Sequence, residues 1–426
     1  MKKLVLLLLG TCLAGLASRN ASAETVTNSV ASLIAEAVRN NPEIKYYEAE
    51  IITAEAGRKT AGVLSQPELN AELGHKSSSD NTGIRGDGVA WSVSVMQTFE
   101  WPGRMGLRKA IANYDVKLAE LGLQQFRTEL GNRVRLTAWN LWAARQQWET
   151  ARTVQKRFSD LRDVLLQRDP AGVTPALELR VIEATELGLR KRVTDTEVAM
   201  QNFRSELNLL CGRPAATEVL IETAALDLSP VPTMGDLLAV AKTNNFELRV
   251  KAVELEQQGF KVDLVRNERF PSVSFGPVIS EEHSLGRDRI IGVGLSMPLP
   301  LWRRNSANVA AAEARRTQAE AMLHVTLRSV ERQLTLAAQT YNTKLAEIKR
   351  WHASSLEEFS QAAALADRHY QLGAVPVTTY VELQKQYVDA VTALLDLRAE
   401  ALQAAGTLEQ AAGIELDLVT LKSTRN

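Results

Sequence analysis

Four long segments without proline constrain this chain most strongly. They cover residues 103–169, 176–213, 301–375 and 377–426. A proline inside a helix costs about 3 kcal/mol, so long proline-free segments rich in alanine, leucine, glutamate, glutamine and arginine predict long helices. A single helix over 104–168 would be on the order of 95 Å long, at about 1.5 Å per residue. Because such a helix is too long for the interior of a compact domain, we expect an elongated, mainly helical protein.

Apolar residues in these segments recur at spacings of three or four, which is typical of helices that pack as coiled coils. The first series is Leu107, Ile111, Tyr114, Leu118 and Leu121. The later series are Leu327, Val330, Leu334, Ala337, Tyr341, Leu345 and Ile348, followed by Leu383, Tyr387, Ala390, Leu394, Leu397 and Ala401. An ordinary helical bundle would show the same spacing, but helices of this length favour coiled-coil packing.

Two regions break the helical pattern and predict β-hairpins, at about 67–99 and 271–299. In each region apolar residues alternate with small or polar residues on both sides of a polar loop, at 77–88 and at 281–289. A run of about ten residues is what a tilted strand needs to cross a bilayer, with apolar side chains towards lipid and polar ones towards a wet interior. A soluble antiparallel sheet would show a similar alternation.

The chain is a tandem duplication. Residues 37–44 (AVRNNPEI) match residues 241–248 (AKTNNFEL) at an offset of 204, and Pro67 and Pro271 keep that offset. Glycines pair at an offset of 201: Gly172 with Gly373, and Gly212 with Gly413. Each half is therefore predicted to contain a helix, a hairpin, a long helix, a glycine-marked turn and a second long helix.

Four strands per chain are too few to close a barrel across a membrane. Unpaired backbone groups in lipid cost several kcal/mol each, so an open sheet is not expected there. Three chains would supply twelve strands and leave no free edge. No apolar run of about 18 residues follows the N-terminal segment, so the sequence predicts no spanning helix. We therefore expect an oligomer whose strands together cross the membrane.

The N-terminal segment 1–23 is predicted to be a signal peptide, with a basic start, an apolar core and a small-residue cleavage pattern at 21–23. Cys12 leaves a lipoprotein signal as the alternative, although Thr11 suits that signal poorly. The other cysteine, Cys211, would have no partner for an internal disulfide after cleavage. Packing or oligomerisation is therefore expected to stabilise the protein.

Charge and motif content argue against other classes. The 50 basic residues equal the 50 acidic ones, so there is no basic surplus for nucleic acid. No Ser-His-Asp order, CxxC, HExxH or phosphate loop occurs, which predicts neither an enzyme nor a cofactor. None of the five histidines forms a close two-ligand motif with another His, Cys or acid, so no metal site is predicted.

The order of elements, the duplication and the glycine-marked turns resemble the TolC family of outer-membrane factors. Segments similar to that family are NNP at 40–42, FEWPGR at 99–104, LNLLCGRP at 207–214 and PLPLWRRN at 298–305. The resemblance extends over essentially the whole chain after the signal segment. The PLPLWRRN segment and the compact length are most similar to the CzcC-type branch, which serves heavy-metal cation exporters.

The resemblance implies a mainly α fold with a small β part. A long antiparallel α-helical coiled-coil barrel would continue from a transmembrane β-barrel of twelve strands in a trimer, four per chain. The first structural repeat would cover 24–225, with long helices at about 104–212. The second would cover 226–426, with long helices at about 303–412.

The function implied is a passive exit duct in the outer membrane of a Gram-negative bacterium, with a long periplasmic extension. Its implied partners are two further copies of the chain, a periplasmic adaptor (membrane fusion protein), an inner-membrane RND pump and outer-membrane lipid. The implied cargo is heavy-metal cations such as cobalt, zinc or cadmium. Organic drugs or solutes are an alternative cargo, and a periplasmic coiled-coil scaffold or adaptor without a barrel is the alternative from another class.

Two glycine-marked turns correspond to the adaptor-docking tips of the family. The tip residues are Ala171, Gly172, Val173, Leu372, Gly373 and Ala374. Glycine permits a left-handed backbone between two helices, and small neighbours would let another helical hairpin approach closely. These glycines would cap helices in either case.

Acidic residues follow the tips, where the family often carries an acid near a constricted entrance. Glu178 lies six residues after Gly172, and Glu382 lies nine after Gly373. Threefold symmetry would turn each into a ring of carboxylates that attracts cations. Thr379, six residues after Gly373, departs from the family pattern. The alternative role is a solvated carboxylate near a helix start.

Aromatic and basic residues flank the starts of the long helices. The candidates for the membrane interface are Phe99, Trp101, Arg104, Trp302 and Arg304. Aromatic rings favour membrane interfaces, and arginines there would reach lipid phosphates. Surface charge beside packed aromatic rings is the alternative interpretation.

Overall fold

The computed structural model describes residues 27–79, 81, 83–167, 173–222, 224–299, 305–351, 355–416 and 418–423. Among these residues the chain is mainly helical with three small sheets. The helices are α1 Val30–Asn40, α2 Pro42–Ala61, α3 Arg104–Gln167, α4 Val173–Leu210, α5 Met234–Asn244, α6 Phe246–Asn267, α7 Ser306–Arg350, α8 Ser355–Gln371 and α9 Val377–Ala412. The strands are β1 Thr27–Asn28, β2 Glu68–Ser79, β3 Arg85–Phe99, β4 Leu220–Ile221, β5 Ala224–Leu228, β6 Val273–His283, β7 Arg287–Ser296 and β8 Val419–Ser423. The predicted signal segment 1–23 and its Cys12 lie outside the described residues.

Long helices dominate the molecule, as the proline-free segments predict. Helix α3 has 64 residues and is therefore about 96 Å long. It packs along α4 and contacts α9, which in turn packs along α7. None of the helices that the structure describes has an apolar stretch long enough to cross a membrane. Five members of the periodic series in α7 are buried, namely Val330, Leu334, Ala337, Tyr341 and Leu345.

The second repeat differs from the prediction of one long helix through 301–375. Helix α7 ends at Arg350, and α8 begins at Ser355. Trp351 has an extended backbone (φ −79°, ψ 120°), its amide donates to the carbonyl of Ile348 (3.1 Å), and its ring packs against Phe359 of α8 with centroids 6.4 Å apart. The helix therefore ends in a tight turn that an aromatic contact stabilises, and neither proline nor glycine marks the break.

The strands extend into both segments that the sequence assigns to loops, 77–88 and 281–289. Five residues separate β2 from β3, and three separate β6 from β7. Glu281 on β6 pairs with Arg289 directly opposite on β7 (2.8 Å), and Lys76 on β2 forms an ion pair with Glu282 on β6 across the intervening strand β3. The predicted loops are therefore too long, because polar residues continue the ladder where opposite charges face each other across it.

Both repeats contain the same junction between their first helix pair and their last helix. The Oδ1 atom of Asn41 accepts a hydrogen bond from the amide of Glu43 at the start of α2 (2.8 Å), and its Nδ2 donates to the carbonyl of Leu210 at the end of α4 (3.0 Å). Asn245 likewise caps α6 and donates to the carbonyl of Ala411 in α9 (2.8 Å). The structure thus repeats one arrangement at the spacing of the sequence duplication.

Glycine completes each junction. Gly212 and Gly413 have φ values of +69° and +77°. A Cβ at Gly413 would lie 2.2 Å from the carbonyl oxygen of Asn244, and one at Gly212 would lie 2.6 Å from that of Asn40. Both positions therefore need glycine for its left-handed backbone and for the close approach of another backbone segment.

Two short sheets, which the sequence did not predict, tie chain segments together near the repeat boundaries. Strand β1 runs parallel to β4, and β5 runs antiparallel to β8. Strands of two to five residues are too short for a recognisable alternation. They bring the start of the described chain beside residues 220–221, and the segment that follows beside residues 419–423.

Candidate functional site

The two predicted hairpins form a single antiparallel sheet with the strand order β2-β3-β6-β7. The register places Leu69 opposite Val95, Val93 opposite Ile279, and Ile279 opposite Ile291. Because side chains alternate between the faces of a strand, these residues share one face of the sheet. The hairpins of the two repeats therefore build one four-stranded surface.

One face of this sheet, the apolar face, is lined by hydrophobic side chains on all four strands. Its members are Leu69, Ala71, Leu73, Val89, Trp91, Val93, Val95, Phe275, Ile279, Ile291, Val293 and Leu295. Leu73 is 80 % exposed and Val293 is 79 % exposed. The opposite face carries small and polar residues, including Ser92, Ser94, Ser274, Ser280, Gly292 and Gly294. A contiguous exposed apolar surface of this kind marks a membrane or protein contact.

Both outer strands of the sheet have a free edge. Within the part of the chain that the structure describes, β2 pairs with β3 alone and β7 pairs with β6 alone. The two edge strands are 12 and 10 residues long. Each presents a row of backbone donors and acceptors that can pair with another strand. As a single chain, the sheet is therefore incomplete.

Stacked aromatic rings lie where the sheet meets the helices. Phe99 stacks on Phe275 with ring centroids 4.8 Å apart, and Trp101 stacks on Phe270 at 4.5 Å. Phe99 and Trp101 are 38 % and 42 % exposed, so the stacks lie at the surface. Two of the five residues predicted for the membrane interface thus belong to one aromatic layer below the sheet.

Arg104 begins α3 beside this layer. Its Nε atom donates to the side-chain oxygen of Asn267 (3.2 Å), and its Nη2 donates to the carbonyl of Phe270 (2.7 Å). A cation opposes the dipole at the start of its own helix, but here it meets the carbonyl end of α6, where the dipole favours it. Arg104 therefore links two helices. Trp302 and Arg304, the corresponding predictions in the second repeat, lie outside the described residues.

The far end of the long helices is a tip between α8 and α9. Gly373 has φ +72°, and its amide donates to the carbonyl of Tyr370 (2.9 Å), while the amide of Ala374 donates to that of His369 (2.9 Å). These two hydrogen bonds close the end of α8. Leu372 is 74 % exposed, and a Cβ at Gly373 would have no described atom within 4 Å. This tip is therefore capped and open to approach.

Glu178 lies beside this tip, although it follows the other one in sequence. It lines a cleft of about 780 Å³ together with Gly373. The cleft is also lined by Arg157, Asp160, Asp367 and Tyr370. Ala171 and Gly172 lie outside the described residues, and Val173 is the first residue of α4.

Glu382 and Thr379 lie on α9 and do not line this cleft. Both are exposed, and a carboxylate oxygen of Glu382 accepts a hydrogen bond from the side chain of Gln386 (2.7 Å). Both residues lie in the first two turns of α9, directly after the second tip, whereas Glu178 reaches the same tip from α4. Within the described ranges, no three His, Cys, Asp or Glu side chains converge as a metal site.

A buried polar network that sequence reasoning missed borders the cleft. The hydroxyl of Tyr380, which is fully buried, donates to Asp367 (3.2 Å), and its ring stacks on Tyr370 at 5.0 Å. Gln384, also fully buried, accepts a hydrogen bond from Arg157 (3.3 Å). Burial, and then the charge of Asp367, raises the pKa of Tyr380 well above its ordinary value. The network joins α3, α8 and α9.

We expect Tyr380→Phe to lower the free energy of unfolding by about 1 kcal/mol, because it removes one hydrogen bond and keeps the ring packing. Thermal unfolding of the purified protein, followed by far-UV circular dichroism, measures the difference. Tyr46→Phe is the matched control, since Tyr46 is 67 % exposed. Equal stability of the two variants would contradict a contribution from the buried hydroxyl.

The chain is similar to known outer-membrane efflux proteins over most of its length. The family described as outer membrane efflux protein matches residues 33–213 and 237–414. The chain is 23 % identical over 406 residues to the pyoverdine export outer membrane protein OpmQ of Pseudomonas aeruginosa. The matched region covers 90 % of this chain and 84 % of OpmQ. It is 20 % identical over 406 residues to the cobalt-zinc-cadmium resistance protein CzcC of Cupriavidus metallidurans, covering 95 % of this chain and 94 % of CzcC.

Solved structures show the same fold. CusC, whose structures concern transmembrane channel formation, superposes with a TM-score of 0.68 at 18 % identity, over 92 % of this chain and 93 % of CusC. The CmeC outer membrane channel of Campylobacter jejuni superposes with a TM-score of 0.73 at 14 % identity, over 91 % of this chain and 86 % of CmeC. This chain belongs to the outer membrane efflux protein family, that of the TolC-like channels, and is an outer-membrane protein of the Gram-negative type with a long periplasmic extension.

Proposed function

We propose that three copies of this chain form a passive exit duct, the outermost part of a tripartite efflux system. The observation that carries this proposal is the four-stranded sheet with two free edges and one apolar face. Pairing β7 of one copy with β2 of the next satisfies both edges and closes twelve strands into a barrel. The apolar face then meets lipid, and the face with serine and glycine meets water.

The aromatic layer supports the orientation of this barrel. Phe99 and Trp101 lie at the level where the sheet ends and the helices begin. We propose that the periplasmic interface between the outer membrane and water lies at this level, and that Trp302 and Arg304 serve the same role in the second repeat. Aromatic rings are enriched at such interfaces. In this proposal Arg104 joins the start of α3 to the end of α6 and also lies beside the lipid headgroups.

The other end of the duct is proposed to receive a periplasmic adaptor, which connects it to an inner-membrane RND pump. The open tip at Leu372, Gly373 and Ala374 supports a docking role for this end, and the corresponding turn at 171–173 would act with it. Repetition of Glu178 and Glu382 around a threefold axis would make the entrance negative, with Thr379 beside them. A narrow ring of carboxylates attracts cations and repels anions.

We propose heavy-metal cations such as cobalt, zinc or cadmium as the cargo. The similarity to CzcC, a cobalt-zinc-cadmium resistance protein, supports this choice. A second candidate is an organic solute, because OpmQ is a pyoverdine export protein of comparable similarity. A periplasmic scaffold without a barrel explains the helices, but it does not explain the exposed apolar face of the sheet.

Membrane fractionation and gel electrophoresis test the duct directly. We expect the protein in the outer-membrane fraction, and a band of three times the chain mass in unheated samples that becomes monomeric on heating. The purified oligomer should give discrete currents in planar bilayers. A soluble periplasmic species without conductance would overturn the barrel in favour of the scaffold.

Charge-neutral variants test the entrance. Glu178→Gln and Glu382→Gln are expected to lower the preference for cations over anions in the bilayer current, because each removes one carboxylate per chain from the proposed rings. Glu48→Gln on α2 is the matched control, since Glu48 pairs with Arg127, about 60 Å along α3 from its end at Gln167. Unchanged selectivity in both entrance variants would place the selective ring elsewhere.

Tolerance assays distinguish the two kinds of cargo. A strain without the gene should become sensitive to cobalt, zinc or cadmium if metals are the cargo, and the intact gene should restore growth. Normal metal tolerance together with impaired secretion or tolerance of organic compounds would favour the second candidate.

A further inference from the structure

The apolar face of the sheet ends in a group of charged side chains, which we term the rim cluster. It consists of Glu281 and His283 on β6 and Arg287 and Arg289 on β7. The register places Glu281 directly opposite Arg289, and His283 directly opposite Arg287. Because their positions follow the alternation of Ile279, all four residues belong to the apolar face.

Hydrogen bonds order the rim cluster around one buried carboxylate. Glu281 is 4 % exposed. Arg287 donates to its two oxygens (both 2.9 Å), Arg289 donates through Nε (3.0 Å) and Nη2 (2.8 Å), and His283 Nε2 lies 2.7 Å from Oε1. The carboxylate therefore holds two guanidinium groups in fixed positions.

The rim cluster keeps spare positive charge and spare donors. Two arginines and one carboxylate leave a net charge of +1. The Nη1 group of each arginine has no hydrogen-bond partner among the described residues. The side chains of Arg287 and Arg289 are 58 % and 56 % exposed. A simple structural ion pair would need one arginine, whereas this arrangement presents unused donors to the outside.

The position of the rim cluster indicates what it meets. The pair Ile279 and Ile291 lies one row inward on the same face, which is about 7 Å along the strands. The cluster lies at the hairpin-turn end of the sheet, away from the helices that follow β3 and β7. If the apolar face contacts lipid chains, these charges lie at the level of the headgroups of the outer leaflet.

We propose that the rim cluster binds the phosphate of a lipid headgroup in the outer leaflet. The two guanidinium groups donate to the phosphate oxygens, since the planar fork of arginine matches phosphate geometry. Glu281 acts as a positioning residue. This inference rests on the proposed function, because it requires that the apolar face contacts the membrane.

Native mass spectrometry of the detergent-extracted oligomer tests the proposal with two probes, bis-phosphorylated lipid A and its dephosphorylated form. The wild type is expected to bind the phosphorylated probe more tightly. In Glu281→Gln/Arg287→Gln/Arg289→Gln this binding should weaken about fivefold, because the variant removes one net positive charge and each such charge near an anionic headgroup contributes about a factor of five. Because Glu281 is changed together with its two arginine partners, no unpaired carboxylate remains. The wild type and the triple variant should bind the dephosphorylated probe equally.

The matched control is Arg328→Gln/Glu331→Gln/Arg350→Gln on α7, which removes the same number of charges from exposed ion pairs. It should bind both probes as the wild type does. Equal binding of the two probes by the wild type would overturn the proposal even if the triple variant fails to fold. Wild-type protein that forms no oligomer and conducts no current would instead refute the proposed function.

Discussion

Replacing Gly413 by alanine is expected to lower the free energy of unfolding by more than about 4 kcal/mol. The left-handed backbone at φ +77° alone costs an alanine about 1–2 kcal/mol. The new Cβ would also lie 2.2 Å from the carbonyl oxygen of Asn244 and 2.6 Å from the amide nitrogen of Asn245. Both atoms belong to the backbone, so they cannot rotate away. The junction at the end of α9 must therefore open, and the yield of folded oligomer should fall sharply.

Gly373→Ala is the control that separates the cost of the left-handed backbone from the cost of the close contact with Asn244. Its φ of +72° is almost the same, but the structure describes no atom within 4 Å of the added Cβ. We therefore expect a loss of about 1–2 kcal/mol, from the backbone alone. Thermal unfolding and the yield of heat-sensitive oligomer on gels compare the variants. Equal losses at the two positions would show that the contact with Asn244 is not a constraint.

Arg135→Ala is expected to destabilise the protein by about 3–5 kcal/mol, because it leaves a buried carboxylate without its charged partner. Arg135 donates through Nη1 to Glu409, which is 3 % exposed, at 3.0 Å, and through Nη2 to the exposed Glu415 at 2.7 Å. The bond to Glu409 joins α3 of the first repeat to α9 of the second, and the bond to Glu415 reaches the segment that follows α9. Arg328→Ala, which breaks an exposed ion pair, should change stability by less than about 0.5 kcal/mol.

The pH dependence of this loss follows from the pKa of Glu409. Burial raises that pKa above 4.5, and the charge of Arg135 partly opposes the rise. Without Arg135 the pKa rises further, so the folded state holds its proton to a higher pH. A carboxyl with a raised pKa stabilises the fold below its unfolded pKa, and this contribution is lost as the pH rises.

The deficit of Arg135→Ala relative to the wild type should therefore be largest at neutral pH and shrink towards about pH 5. Adding Glu409→Gln should recover part of the stability at neutral pH and remove the pH dependence. Denaturant unfolding at several pH values measures both effects. A deficit that stays constant with pH would show that Glu409 is not the group responsible.

The long helices could be predicted from the sequence because their determinants are local. The absence of proline and the spacing of apolar residues depend on neighbours a few positions apart, and α3 follows them for 64 residues. The break at Trp351 was missed because its stabilising contact, the ring of Phe359, lies in the next helix. The ends of the hairpin loops were missed for a similar reason, since Lys76 finds its partner Glu282 in the other repeat.

The candidate site shows the same limit. The alternation of the strands predicted the composition of both faces of the sheet, because it is set by residues two positions apart. The role of Asn41 could not be predicted, although its segment repeats, because its amide donates to a carbonyl 169 residues away. Tyr380 and Gln384 fall among apolar positions of α9, where a sequence pattern alone indicates core packing. Their partners Asp367 and Arg157 come from other helices.

The junctions at Asn41 and Asn245 have an evolutionary consequence. Each ties the beginning of a repeat to its own end, so that both termini of a half-length chain lie side by side. The link between the halves is accordingly short, since β4 ends at Ile221 and β5 begins at Ala224. Two tandem copies of a gene for one half could therefore be joined without changing the path of the chain within either half. Once joined, the copies were free to diverge, and the break between α7 and α8 is an asymmetry, because the corresponding helix of the first repeat, α3, is continuous.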